Sequence, residues 1–131
     1  MTKVIYNGGA DPKTFKDVFS AKIPEMLENN PDVVYLDADL MSCIGTAKYA
    51  KAHPERAINV GIAESNMAGI AAGLAAVGFK PICHSFGPFA SRRCFDQVFM
   101  SAGYAYNDIT MIGTDPGVTA GYAIWLHWFQ H

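Results

Sequence analysis

Short apolar runs alternate with stretches of helical spacing along this chain, and that order limits the fold more than any other feature. Residues 33–36 (VVYL), 58–60 (INV), 81–86 (PICHSF) and 109–113 (ITMIG) are short and carry β-branched or aromatic side chains, as buried strands do. Phe15, Val18, Phe19, Ile23, Met26 and Leu27 recur at helical spacing ahead of the first run. Asp11-Pro12 suits the start of that helix, with Asp as cap and Pro at the first position. Pro24 is expected to kink or divide it, and Asn29-Asn30-Pro31 closes it. Residues 41–45 read as a loop and 46–53 as a short helix ended by Pro54. A helix over 64–77 is capped by Gly78, and another over 88–103 begins at Pro88. Helices alternating with strands predict an α/β domain, a mainly parallel sheet with helices on both faces. In such sheets ligands bind beyond the C-terminal ends of the strands. Residues 37–45, 61–64, 85–89 and 114–117 fall there.

The 131 residues suffice for one domain with a core, spanning 1–131 without a repeat or low-complexity tract. Half of them are hydrophobic and 17 % are charged, so a partner is expected to cover part of the surface. A net charge of −2 and a pI near 6.0 come with no basic stripe for nucleic acid and no basic amphipathic helix for a membrane surface. No apolar run reaches the roughly 18 residues of a membrane span, and the start MTKVIYNGG lacks the order of a signal peptide. Cys43, Cys83 and Cys94 form no CxxC and are odd in number, which indicates neither zinc nor a disulfide framework. A reduced, cytoplasmic protein is the expectation.

Any functional reading turns on Glu64. It leads the helical part of GIAESNMAGIAAGLAAVGF, with no other charge until Lys80. An acid there is either a working group or a helix-end charge, the latter worth about 0.3–1 kcal/mol. Gly69 and Gly73 follow, each costing roughly 0.5–1 kcal/mol relative to Ala in a helix. Close packing is therefore expected along this helix, against the sheet or against another subunit. His84 is either a satisfied, partly buried histidine or a substrate contact. Phe86 and Phe89 flank Gly87-Pro88; they are core, or a flat face for a planar ligand. Of Arg92 and Arg93, one reads as a solvated charge and the other as the partner of an acid such as Asp96 or of a substrate phosphate. Asp37 and Asp39 have no third ligand at a useful spacing, so no metal site is expected on this chain.

Together these segments resemble a known family. LDADL at 36–40, NVGIAESNMAGIAAGLAAVG at 59–78, HSFGPFASRRCFDQV at 84–98 and TDPGVTAG at 114–121 are similar to the pyrimidine-binding domain of transketolase-type thiamine diphosphate enzymes. Within that family the similarity is to the C-terminal section of transketolases encoded as two chains, over roughly residues 10–121. The resemblance implies a thiamine diphosphate-binding fold of the pyrimidine-domain type. It implies that Glu64 hydrogen-bonds N1′ of the aminopyrimidine, favouring the imino tautomer that takes the proton from C2. Phe89 would stack on the aminopyrimidine, with Phe86 beside it. Asp39 and Leu40 would approach the thiazolium side, and Ile62 would line the cofactor pocket. His84, Arg92 and Asp115 are the implied substrate residues, although Asp115 stands near a position where single-chain members often have histidine.

The resemblance also implies what other chains supply. Family members bind the diphosphate and its Mg²⁺ through a separate domain with a GDG…N motif, and no such motif occurs here. An N-terminal transketolase section would provide it, in a homodimer or heterotetramer, with the pocket between subunits. The implied activity is transfer of a two-carbon ketol unit between sugar phosphates, as in the pentose phosphate pathway of carbohydrate metabolism. A deoxyxylulose-phosphate synthase-like chain, a 2-oxoacid dehydrogenase β-like chain and a non-catalytic module that only dimerises or binds a partner are the alternatives. Similarity breaks off after GVTAGY, and residues 122–131 (AIWLHWFQH after Tyr122) form an atypical tail. A product truncated or frame-shifted at the C-terminus, inactive when isolated, is the expectation from that break.

Overall fold

A computed structural model describes residue 9 and residues 12–115. The elements run α1 (Phe15–Asn29), β1 (Val33–Asp37), α2 (Met41–Ile44), α3 (Ala47–Ala52), β2 (Ala57–Asn59), α4 (Glu64–Ala76) and β3 (Lys80–Phe86). An irregular helical stretch follows: a wide π-type turn over Phe89–Arg93, a short α5 (Phe95–Gln97) and a second π-type segment over Val98–Tyr104. β4 (Thr110–Thr114) ends the described chain. Among the described residues all strand pairings are parallel, in the order β2-β1-β3-β4. The α/β architecture with a parallel sheet thus matches the expectation.

Each face of the sheet has its own core. β1 is buried along its whole length, and its side chains alternate between faces as a strand requires. Val33 and Tyr35 join Phe19, Ile23 and Leu27 of α1, with Met41, Ile44 and Ala50 from α2 and α3. Val34 and Leu36 meet Met67 and Ala71 of α4 on the opposite face, with Cys83. Helices therefore cover both sides.

Local chemistry moves several boundaries. The first helix starts at Phe15, not at Pro12, because Thr14 and Asp17 form a capping box. Thr14 Oγ1 accepts from the Asp17 amide at 3.2 Å, and Asp17 returns the bond to the Thr14 amide at 2.9 Å, so two donors are satisfied at once. Asp11 lies outside the described residues. Pro24 does not divide α1, which runs through it unbroken. Phe19, Ile23 and Leu27 bury both halves against one sheet, and tertiary packing of an apolar face outweighs a local helix breaker. Residues 41–45, expected as a loop, contain the one-turn helix α2, because Met41 and Ile44 turn inward into the core. The helix expected over 88–103 is broken into wide turns.

The α4 helix ends as its sequence suggests. Gly78 stands at φ +100°, the Gly78 amide donates to Ala75 O and the Phe79 amide to Leu74 O, both at 3.0 Å. That is a Schellman ending, which needs a residue free to adopt a left-handed conformation.

The strand order decides where a ligand can sit. From β1 the chain passes to β2 on one side, then returns through α4 to β3 on the other. Loops after β1 and β3 consequently leave in opposite directions and open a crevice between them. Glu64, at the start of α4, and the turn after β3 border this crevice.

Candidate functional site

Glu64 is the first residue of α4 and is 2 % exposed. Its helix position alone stabilises a negative charge, but a carboxylate serving only that purpose has no need of burial. Two side chains hold it. Ser85 Oγ donates to Oε1 at 3.0 Å, and Arg93 Nη1 donates to Oε2 at 3.0 Å. A buried charge is tolerable only when paired and hydrogen-bonded in this way. Ser85 comes from β3 and Arg93 from the π-type turn, so three separate elements converge on one carboxylate.

The aromatic pair adjoins it. Phe86 and Phe89 are both part-buried, with ring centroids 6.3 Å apart and planes tilted by 50°. The Arg93 guanidinium carbon stands 3.8 Å over the centre of the Phe89 ring. Arg93 thus pairs with Glu64 rather than Asp96, and it stacks on Phe89 while doing so. Wide π-type turns recur at functional sites, and this one sets Phe89 and Arg93 on the same face one turn apart.

A second set of contacts shapes the far side of the crevice. Asp39 has φ +66°, a left-handed conformation that short polar residues reach most readily outside glycine. Asn59, at the end of β2, holds it there: Asn59 Nδ2 donates to Asp39 Oδ1 at 2.8 Å, and Asn59 Oδ1 accepts from the Asp39 amide at 3.1 Å. Asn59 Oδ1 also accepts from the Gly61 amide at 2.9 Å. One amide side chain therefore ties the turn after β1 to the turn before Glu64. A cavity of about 440 Å³ opens beside Asp39, Met41 and Asn59.

Beneath the crevice lies a buried polar chain. Asp37 accepts from the Tyr35 hydroxyl, from the Leu40 amide and, at 2.7 Å, from His84 Nδ1. A carboxylate only accepts, so Nδ1 carries the proton; Nε2 lies 3.0 Å from Thr114 Oγ1. Burial, the adjoining Asp37 charge and the bond to Asp37 all hold the Tyr35 phenol far above its ordinary range.

The implied site residues therefore fall into distinct places. Glu64, Phe86 and Phe89 come together. Leu40, part-buried, is pinned through its amide by Asp37, and Asp39 is exposed on the adjoining turn. Ile62 is 74 % exposed at the crevice mouth. His84 has no exposed edge in this chain and is engaged with Asp37 and Thr114. Arg92 is exposed and lines an open cavity of about 580 Å³ with Pro88, Ser91 and Gly113. Asp115, at φ +48°, is the last described residue; the rest of residues 114–121 and the tail at 122–131 lie outside the described residues. Ser85, Asn59 and the pairing of Arg93 with Glu64 escaped the sequence reading. Only the double arginine signalled that one of the two had an acid to serve. Among the described residues, no group of three or more His, Cys, Asp or Glu could hold a metal ion, and no helix is long and apolar enough to cross a membrane.

The chain is similar to known proteins in sequence and in fold. Residues 11–123 match the family described as transketolase, pyrimidine binding domain. A 6-deoxy-6-sulfo-D-fructose transketolase subunit from Clostridium sp. (strain MSTE9) is 47 % identical over 105 residues, covering 80 % of this chain and 33 % of its own. A 1-deoxy-D-xylulose-5-phosphate synthase from Cutibacterium acnes is 34 % identical over 113 residues, covering 86 % of this chain and 17 % of its own. Among solved structures, a split gene transketolase in the form of an inactive β4 tetramer superposes with a TM-score of 0.63 at 39 % identity, over 72 % of this chain and 31 % of that one. This chain spans about a third of the subunit and of the split-gene chain, and about a sixth of the synthase.

Proposed function

Because the chain belongs to the transketolase pyrimidine-binding domain family, we propose that Glu64 and Phe89 hold the aminopyrimidine of thiamine diphosphate. Paired with a diphosphate-binding chain, the site then serves transfer of a two-carbon ketol unit between sugar phosphates. The observation that carries this reading is the guanidinium of Arg93. It is flat, lies 3.8 Å over Phe89 and gives an N–H to Glu64 Oε2 at 3.0 Å. Those are the two contacts an aminopyrimidine needs, so the residues present fit the group.

When bound, thiamine diphosphate supplies the carbon nucleophile that no side chain can provide. This chain orients it and manages a proton. Glu64 Oε2 would accept the hydrogen bond from N1′, while the Ser85 hydroxyl holds Oε1 at 3.0 Å. Low exposure around Glu64 would strengthen that hydrogen bond and keep water from competing for it. Phe89 would supply the stacking face, with Phe86 beside it. Leu40 and Asp39 border the thiazolium side, the turn carrying them being held by Asp37 and Asn59.

The remaining parts come from a partner. An N-terminal section would bind the diphosphate and Mg²⁺, in a homodimer or heterotetramer. Gly69 and Gly73 face open space on α4, which leaves room for a close-packed neighbour there. The donor is a ketose with an anionic end group, phosphate or, as the Clostridium relative's name states for that protein, sulfonate. Similarity to the synthase favours one alternative, in which the substrates are pyruvate and glyceraldehyde phosphate.

Reconstitution with the complementary chain tests the reading. Exchange of the cofactor's C2 proton, followed by NMR, should be fast with wild type and largely lost with Glu64→Ala. Unchanged exchange in the variant would reject the role of Glu64. Turnover of pentose phosphates, set against pyruvate plus glyceraldehyde phosphate, separates ketol transfer from the synthase reaction.

A further inference from the structure

Arg93 does more than neutralise a buried acid. We propose that its side chain is a built-in plug of the aminopyrimidine site, closed on Glu64 and Phe89 when cofactor is absent and swung outward when it binds. The inference rests on the cofactor reading above and deepens it.

Competition follows from the geometry. Glu64 offers two oxygens, and Ser85 already holds Oε1. Arg93 takes Oε2 and at the same time covers a face of Phe89. A flat ring stacked on that face and bonded to Oε2 would occupy the volume of the guanidinium. The two cannot be there together.

Whenever no ring is bound, Glu64 needs such a group. Glu64 is 1 % exposed at its side chain, and a buried carboxylate stripped of its partner is strongly destabilising. A planar cation that stacks and donates N–H groups is well matched to a pocket shaped for a planar nitrogen heterocycle. The Arg93 side chain is 41 % exposed, so it has a direct path to solvent. Its backbone does not share that freedom, since Ser65 Oγ donates to Arg93 O at 2.8 Å. Motion is thereby confined to the side chain, which changes rotamer within nanoseconds at exposed positions. After release, the charge is solvated near the crevice mouth, where an anionic substrate enters.

A plug taxes binding by the fraction of time the site stays open. If it is closed nine-tenths of the time, apparent affinity falls about tenfold. Calorimetry of thiamine diphosphate binding to the chain reconstituted with its diphosphate-binding partner reads this directly. Wild type, Arg93→Ala and Arg93→Lys are compared, each first checked for folding by its unfolding curve. Arg93→Ala should bind several-fold more tightly than wild type. Arg93→Lys keeps the charge but cannot cover the ring, so it should fall between them and remain testable if the alanine variant does not fold. Weaker or unchanged binding in the variants would overturn the plug while leaving the cofactor site intact. Absence of binding by wild type and variants alike would instead remove the cofactor reading, and the plug with it.

Discussion

Asp37 and His84 stand opposite each other on β1 and β3, and their side chains meet at 2.7 Å with neither exposed to solvent. Asp37 also accepts from Tyr35 and from the Leu40 amide, so one carboxylate joins the sheet to the turn that borders the proposed thiazolium side. Replacing it with asparagine sets an NH₂ group against donors. Asp37→Asn should lower stability by about 3 kcal/mol, the range for a broken buried charge contact. Urea unfolding checks it, and a loss well under about 1 kcal/mol would show that Asp37 is not the junction described here.

Two glycines should respond oppositely to alanine. A Cβ on Gly113 would stand 2.8 Å from Gly87 Cα, backbone against backbone between β4 and the turn after β3. Gly113→Ala should therefore destabilise by about 1–3 kcal/mol, as overpacking does. On Gly73 a Cβ meets nothing within 4 Å, and alanine there should stabilise α4 by about 0.5–1 kcal/mol. If α4 packs closely on a partner, the same Gly73→Ala change should weaken assembly, which sedimentation would show. Stabilisation with no change in assembly would remove α4 as the contact.

Thiol chemistry should pick out one cysteine. Cys43 is exposed, whereas Cys83 and Cys94 are buried. Burial, with a smaller push from Cys94, raises the Cys83 thiol to about 12 from an ordinary 9.0. Burial also raises Cys94, and the charge of Glu64 adds to it. A thiol reagent near neutral pH should label Cys43 fast and the other two only on unfolding. The folded state keeps the Cys83 proton to higher pH than the unfolded chain does. Stability from this group is accordingly complete below pH 9 and is lost as pH rises toward 12. Rapid labelling of all three in the folded chain would contradict the packing of α4 on β3.

Asn59→Ala should loosen two turns at once. It removes both bonds to Asp39 and the one to the Gly61 amide, so amide exchange at residues 39 and 61 should accelerate together. Cofactor affinity in the reconstituted pair should fall. Asn59→Asp keeps the acceptor but faces the Asp39 carboxylate, and should restore protection at residue 61 more than at 39. Independent responses at the two amides would deny that Asn59 couples them.

Much of the fold is legible in the chain because it is decided locally. The four strands come from short apolar runs between breakers, and α4 comes from an uninterrupted helical stretch that Gly78 ends. The one-turn α2 was not legible, since inward packing of Met41 and Ile44 makes it. Nor was the survival of α1 through Pro24, which depends on the sheet beneath it.

The sequence by itself settled the α/β order and the family, because element type and motif order are written in neighbouring residues. Tertiary structure alone brought Ser85 and Arg93 to Glu64 across 21 and 29 residues, and Asp37 to His84 across 47. It made His84 a buried joint and Arg93, not Arg92, the partner of the acid. Such pairings depend on strand register and on where a helix begins over a sheet, and no local pattern of residues encodes either.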